Sequence, residues 1–404
     1  MQHLADCTFK LTEDSHWISQ LFEDGQSLKR QLGSNNVFDF SIGNPLGNPP
    51  ARVHKAIIEL LRSNNPRMHG YTPNQGLPEV RRWVANQLNS KGRNHLVNFS
   101  EKEVILTSGA AGGLNVCLRT LIDPLDEVLV PSPFFLDYKF YINNYGGVFK
   151  PVPTTPSFNL DLSAIEAAIN SKTRIVLINS PNNPTGTVYS EDEIASLAAL
   201  LREKSNKLGH HIFLISDEPY RNIIYDKKET ASIFNHYEQS IVITSRSKDL
   251  ALAGERIGYI VVDPRCASSG TLIKALVVAQ RTLGFINAPA LMQRILPLID
   301  DELADISVYQ ENRDILFEQL SKLGFECIKP DGAFFLFPKV PSGDDQSFVK
   351  AARKHRILLL PGTAFGAAGY FRLSFCIETQ QIKNSLTAFS KLADDYFGQT
   401  ITGK

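Results

Sequence analysis

Six short apolar runs, at 104–106, 128–130, 175–178, 212–215, 241–243 and 259–262, constrain this chain more than any other feature. Each is continuous rather than alternating, which is how a strand covered on both faces reads. Stretches of helical period stand between several of them, at 162–169 and 192–201 for example. This alternation, running from about residue 50 to 298, predicts a doubly wound α/β sheet, mostly parallel.

A chain of 404 residues is too long for one core and should divide into two domains. The 42 Lys and Arg residues balance 42 Asp and Glu, which argues against a broad nucleic-acid surface or a polybasic membrane surface. Cys7, Cys117, Cys266, Cys327 and Cys376 are scattered and odd in number, with no Cys-x-x-Cys or His-x-x-x-His spacing. They read as reduced thiols, mostly core filler, with no metal site. No apolar run approaches the ~20 residues of a membrane span, and the amino terminus has no signal-peptide pattern. A cytosolic protein is expected.

The polar residues fall in a pattern relative to the runs. Gly109, Phe135, Asn183, Asp217 and Lys248 each lie just beyond the carboxyl end of a predicted strand. In open α/β sheets ligands bind outside those ends, so five loops can meet around one molecule. Lys248 follows a Ser-x-Ser turn and precedes Arg256 by eight positions. A lysine amine condenses with aldehydes, and an arginine fork holds a dianionic phosphate. Pyridoxal phosphate carries both groups.

Each residue also has an ordinary reading. Lys248 reads as a solvated surface residue, Asp217 as a helix N-cap, Asn183 as part of a proline-rich turn, and Phe135 as core. Gly109 opens a loose glycine loop that is a weak phosphate signal by itself, and Arg372 lies in an alternating strand whose polar face would meet water. Taken together, they specify one ligand.

Eight segments in order resemble the class I aminotransferases of the aspartate aminotransferase fold family, the pyridoxal phosphate enzymes of fold type I. They are Ile42-Gly43-Asn44-Pro45, Tyr71-Thr72-Pro73-Asn74-Gln75-Gly76-Leu77, Thr107-Ser108-Gly109-Ala110, Asn182-Asn183-Pro184-Thr185-Gly186, Asp217-Glu218-Pro219-Tyr220, the lysine segment 245–259, Gly332-Ala333-Phe334-Phe335 and Phe371-Arg372-Leu373-Ser374. The set spans about 40–376, nearly the whole chain. It is specific for fold and cofactor, and much less so for substrate.

The resemblance implies a role for each matching residue. Lys248 matches the lysine that joins the cofactor and then moves the substrate α-proton, and Asp217 the carboxylate facing the pyridine nitrogen. Asn183 and Tyr220 match the groups bonded to the ring's phenolate oxygen. Arg256, Ser245 and the amides of Gly109 and Ala110 match the phosphate site, with Ser247 a less certain contact. Phe135 takes the place of the ring-stacking aromatic. Tyr71 matches a tyrosine that reaches the neighbouring subunit's phosphate, implying a homodimer with shared sites. Arg372 matches the clamp on the substrate α-carboxylate, beside Gly43. Residues 49–300 are expected to form the large cofactor domain, with 1–48 and 301–404 a smaller α+β domain, joined through a helix near 305–323 and closing over the substrate.

Two departures stand out. Ala111 occupies a place where some bacterial aspartate enzymes carry a lysine for the substrate's second carboxylate, which argues against a dedicated aspartate enzyme. Arg246 fills the variable site of Ser-x-Ser-Lys, usually apolar, where facing solvent and reaching a substrate are both open. The expected reaction moves an amino group from an L-amino acid to a 2-oxo acid such as 2-oxoglutarate, in ping-pong order. Carbon–sulfur β-elimination on the same scaffold is the alternative, and a non-catalytic regulator a more distant one, since no basic recognition helix precedes the cofactor domain. The aromatic stretch 332–337 reads either as a pocket wall or as an interior strand. His54, His69, His210, His211 and His236 read as surface or structural. Trp17, Ile18, Leu21 and Phe22 have helical spacing, and Asp300, Asp301 and Glu302 read as a helix start.

Overall fold

The structure, a computed structural model, describes residue 12 and residues 23–90, 94–299 and 303–398. Cys7, the Trp17–Phe22 spacing and the helix start expected at Asp300, Asp301 and Glu302 lie outside the described residues. By its internal contacts the chain divides into two compact units. The larger holds the described residues of Asn44–Ser307 with Pro330–Phe334; the smaller holds those of Met1–Gly43 and Phe335–Lys404 with Val308–Lys329.

A seven-stranded sheet organises the larger unit. Its strands are β1 (Val104–Ser108), β2 (Glu127–Ser132), β3 (Val148–Pro153), β4 (Thr173–Asn179), β5 (Phe213–Asp217), β6 (Ser240–Ser245) and β7 (Ile257–Val262). They lie in the order β1-β7-β6-β5-β4-β2-β3. Every pairing is parallel except those of β7, which runs antiparallel to both β1 and β6. This is the doubly wound, mostly parallel sheet that the apolar runs imply.

The runs are continuous because alternate residues feed two separate cores. Val104, Leu106, Val176, Ile178 and Leu214 join one hydrophobic cluster, while Ile105, Ile175, Leu177, Ile215 and Ile241 join the other. With both faces covered, no position along the strand favours a polar residue. β3 escaped the run pattern for the opposite reason. It is an edge strand, with Val148 exposed and prolines at 151 and 153 that a central strand would not accept.

Helices cover both faces. Helix α1 (Gly109–Leu121) follows β1 directly. Helix α2 (Glu191–Leu208) starts at a reciprocal capping box between Ser190 and Glu193 and ends at left-handed Gly209. In the smaller unit, Phe371–Ser374 is the middle strand of a three-stranded antiparallel sheet, between Leu360–Pro361 and Phe335–Leu336. Helices Ser307–Lys322, Asp345–Lys354 and Thr379–Phe397 accompany it. The rings of Phe325, Phe348 and Phe371 pack edge-on or tilted within 6 Å of one another. Among the described residues no helix is long and apolar enough to cross a membrane, and no His, Cys, Asp and Glu cluster suits a metal ion. Cys117, Cys266 and Cys376 are buried thiols, and Cys327 is half-buried.

Candidate active site

A cavity of about 190 Å³ opens at the carboxyl ends of the parallel strands in the larger unit. Ala110, Ala111 and Leu114 reach it from α1, Phe135 and Tyr141 from beyond β2, and Asn179 and Asn183 from the end of β4. Asp217, Pro219 and Tyr220 come from the end of β5, and Ser245, Ser247 and Lys248 from the end of β6. Arg256 arrives by a different route. It precedes β7, and because β7 is antiparallel its first residues lie beside the last residues of its neighbours, Ile257 opposite Ser108 and Gly258 opposite Ser245.

Glycine is required where these elements crowd. Gly109 has φ +70°, and a Cβ there would stand 2.7 Å from Arg256 Nη2. A Cβ on Gly258 would stand 2.6 Å from the Thr244 carbonyl oxygen and 2.8 Å from the Gly109 carbonyl carbon. Without side chains at these two positions, the guanidinium closes on the first turn of α1, where Gly109 and Ala110 present helix-start amides. Arg256 is itself left-handed at φ +53° and donates from Nη1 to the Ala253 carbonyl at 2.9 Å.

Asp217 is buried at the other end of the cavity. Its Oδ2 accepts the Tyr138 hydroxyl proton at 2.5 Å, whereas Oδ1 is buried without a hydrogen-bond partner. Burial pushes the Asp217 carboxyl up to about 7; the Tyr138 bond opposes this and the charge of Glu218 adds to it. Burial and the facing carboxylate raise the Tyr138 hydroxyl well above the tyrosine range, so it stays a donor. No regular helix follows Asp217, and its side chain serves Tyr138 rather than an N-cap. Tyr138 and Asn179 do not stand out in the sequence. Asn179 donates to the Asp217 carbonyl at 2.8 Å and accepts the Asn183 amide at 2.8 Å, fixing the Asn183 turn to the end of β5.

Lys248 is half-buried rather than solvated, with Nζ 5.9 Å from the Tyr220 ring centre and 5.6 Å from that of Phe334. Tyr220 and Phe334 are themselves edge-to-face at 5.2 Å, so the first phenylalanine of the aromatic stretch stands beside the lysine. Phe335 and Leu336 form the interior strand that was the other reading. Phe135 lies edge-on to Tyr138 at 5.4 Å. Arg246 meets neither expectation. It is 8% exposed, its Nη1 bonds Asp249 Oδ2 at 2.7 Å, and it does not line the cavity.

Three expected residues are placed elsewhere. Tyr71 is 92% exposed on this chain. Arg372 and Gly43 belong to the smaller unit. The Arg372 strand is buried throughout, contrary to a polar face in water. Its guanidinium lies between the rings of Phe335 and Phe365, at 4.5 and 4.8 Å, and donates from Nη2 to the Ser41 carbonyl at 2.8 Å. Gly43, two residues past Ser41, is half-buried in irregular chain.

This combination of sheet, crossing strand and lysine-bearing cavity defines the aspartate aminotransferase-like fold. The profile of aminotransferase class I and II matches residues 35–389, and the chain belongs to that family of pyridoxal phosphate-dependent transferases. A probable aspartate aminotransferase of Methanocaldococcus jannaschii is 30% identical over 365 residues, covering 88% of this chain and 93% of that one. A probable N-acetyl-LL-diaminopimelate aminotransferase of Bacillus subtilis is 31% identical over 359 residues, covering 87% and 88%. The crystal structure of an amino transferase from Eubacterium rectale has TM-score 0.94 and 39% identity, covering 98% of this chain and 100% of that chain.

Proposed function

We propose that this chain binds pyridoxal 5'-phosphate through Lys248 and moves an amino group from an L-amino acid to a 2-oxo acid, with 2-oxoglutarate the expected acceptor. The observation that carries this reading is Asp217 Oδ1, a buried carboxylate oxygen without a partner in the wall of the cavity. A buried carboxylate asks for a cation that can also donate a hydrogen bond, and a protonated pyridine nitrogen is one. At the far side, Arg256 and the glycine-opened start of α1 suit a dianion. The residues therefore fit the cofactor.

When bound, the cofactor supplies an electron sink for the pair left on the substrate α-carbon. Asp217 keeps the ring nitrogen protonated. Asn183 and Tyr220 donate to the phenolate oxygen, and Phe135 covers the ring. Ser245, Arg256 and the Gly109 and Ala110 amides hold the phosphate. Lys248 would hold the cofactor through its amine and, with that amine free, would take the proton from the substrate α-carbon. Arg372, with Gly43 leaving space, takes the α-carboxylate in a bidentate fork that lysine cannot reproduce. The smaller unit, built from the described residues of 1–43, 308–329 and 335–404 rather than from 1–48 and 301–404, is the part that closes on the substrate. The exposed Tyr71 serves the neighbouring subunit's phosphate, making the working unit a homodimer, in the cytosol. The donor leaves as its oxo acid before the acceptor enters. Ala111 lines the cavity without the charge a second carboxylate needs, which favours a donor other than aspartate.

Single amino acids added to the cofactor-loaded protein test the reading. The expected result is loss of the visible absorbance and release of about one matching oxo acid per chain, with no second substrate present. Repeated release of pyruvate and ammonia would establish elimination instead, and no response to any amino acid would remove the amino-donor reading.

A further inference from the structure

The chemistry assigned to the cavity makes no use of Arg246, yet its guanidinium is buried at 8% exposure and must be compensated. Asp249, itself 3% exposed, supplies the charge, and the same Oδ2 that accepts Arg246 Nη1 also accepts Asn222 Nδ2, each at 2.7 Å. The Arg246 guanidinium carbon lies 6.0 Å from the ring centre of Trp83, on helix Pro78–Ser90. That is the outer limit of a cation–π contact. Main-chain bonds close on the same point. Arg246 N donates to Ile257 O at 3.0 Å, Leu252 N to Arg246 O at 3.4 Å, and Ala304 N to Asp249 O at 2.8 Å.

A buried ion pair contributes little net stability, because desolvation of both charges offsets their attraction. What it does supply here is registry. One carboxylate oxygen, Asp249 Oδ2, accepts from both Arg246 and Asn222 and so ties their two loops at a single directional point, which an apolar contact would not do. The positions are telling. Lys248 lies between Arg246 and Asp249, and Asn222 lies two residues past Tyr220. The first residue of β7, next to Arg256, receives the Arg246 amide. The segments carrying Lys248, Tyr220 and Arg256 are thus tied at one knot behind the cavity.

We propose that Arg246 and Asp249, with Asn222, are positioning residues that lock the Lys248 segment to the Tyr220 turn and keep amine and phenol at a fixed spacing through the reaction. The inference rests on Lys248 and Tyr220 having the roles given above, but the lock itself is testable without them. Asn222→Ala cuts the tie between the two loops and leaves the ion pair; Arg246→Met with Asp249→Leu removes both charges together, so that neither is stranded. In the cofactor-free protein, amide exchange across 246–252 should quicken about tenfold in both, with the melting temperature of Asn222→Ala unchanged. In the loaded enzyme, kcat should fall about tenfold while KM stays within about twofold, and Asn222→Ser, which keeps a donor, should recover part of the loss. Wild-type exchange and wild-type kcat in either variant would overturn the proposal and leave the knot as packing. Faster exchange in a protein that never binds the cofactor would uphold the lock and instead defeat the assignment of Lys248.

Discussion

With one oxygen bonded to Tyr138 and the other to nothing, the Asp217 carboxylate is held in the cofactor-free chain at a cost that depends on pH. Its pKa is raised to about 7 from the ordinary range near 4, so between those values the folded chain binds more protons than the unfolded one. Stability from this group therefore falls as pH rises through that window, by about 4 kcal/mol in all. Asp217→Asn removes the charge, so cofactor-free Asp217→Asn should melt several degrees above the wild type at pH 8 and close to it near pH 4. The same variant should gain less stability from added pyridoxal phosphate than the wild type does at pH 8, because the contact to the ring nitrogen loses its charge. Differential scanning from pH 4 to 8 checks both, and a constant difference across that range would contradict the account. Asp217 was legible in the sequence because it follows an apolar run. Tyr138 was not, because a tyrosine in a short apolar helix reads as core until its partner, 79 residues away, is known. The burial of Arg372 was hidden for a similar reason, since the rings of Phe335 and Phe365 that cover it come from separate segments.

At the scale of elements, the six runs marked six of the seven strands, and with them the five loops that carry the candidate residues. The direction of β7 did not. The connection 246–256 holds one short turn of 3-10 helix, Ala253–Glu255, and no crossover helix, so β7 returns antiparallel and carries Arg256 to the strand ends. The glycine loop, weak as a motif, takes its meaning from that return, because Gly109 stands where any side chain would meet Arg256. Gly109→Ala should then combine left-handed strain with a displaced guanidinium. Cofactor affinity is expected to fall about tenfold or more, measured by titrating the cofactor-free protein. Unchanged affinity would show that the first turn of α1 and Arg256 do not act on the phosphate together.

The whole molecule was the least legible scale. Mixed helix and strand signals in the smaller unit gave little warning that residues 330–334 belong with the larger one, because that assignment rests on bonds such as Tyr225 hydroxyl to Ala333 carbonyl and Ala333 amide to Ile223 carbonyl. Tyr71, exposed on a single chain, has its proposed partner on another. Every role proposed for the cavity depends on one covalent bond, which is tested by mixing the protein with pyridoxal phosphate, reducing with borohydride and mapping the peptides by mass spectrometry. It predicts about one phosphopyridoxyl group per chain, on Lys248. Reduction that leaves Lys248 unmodified, or that labels another lysine in its place, would contradict it.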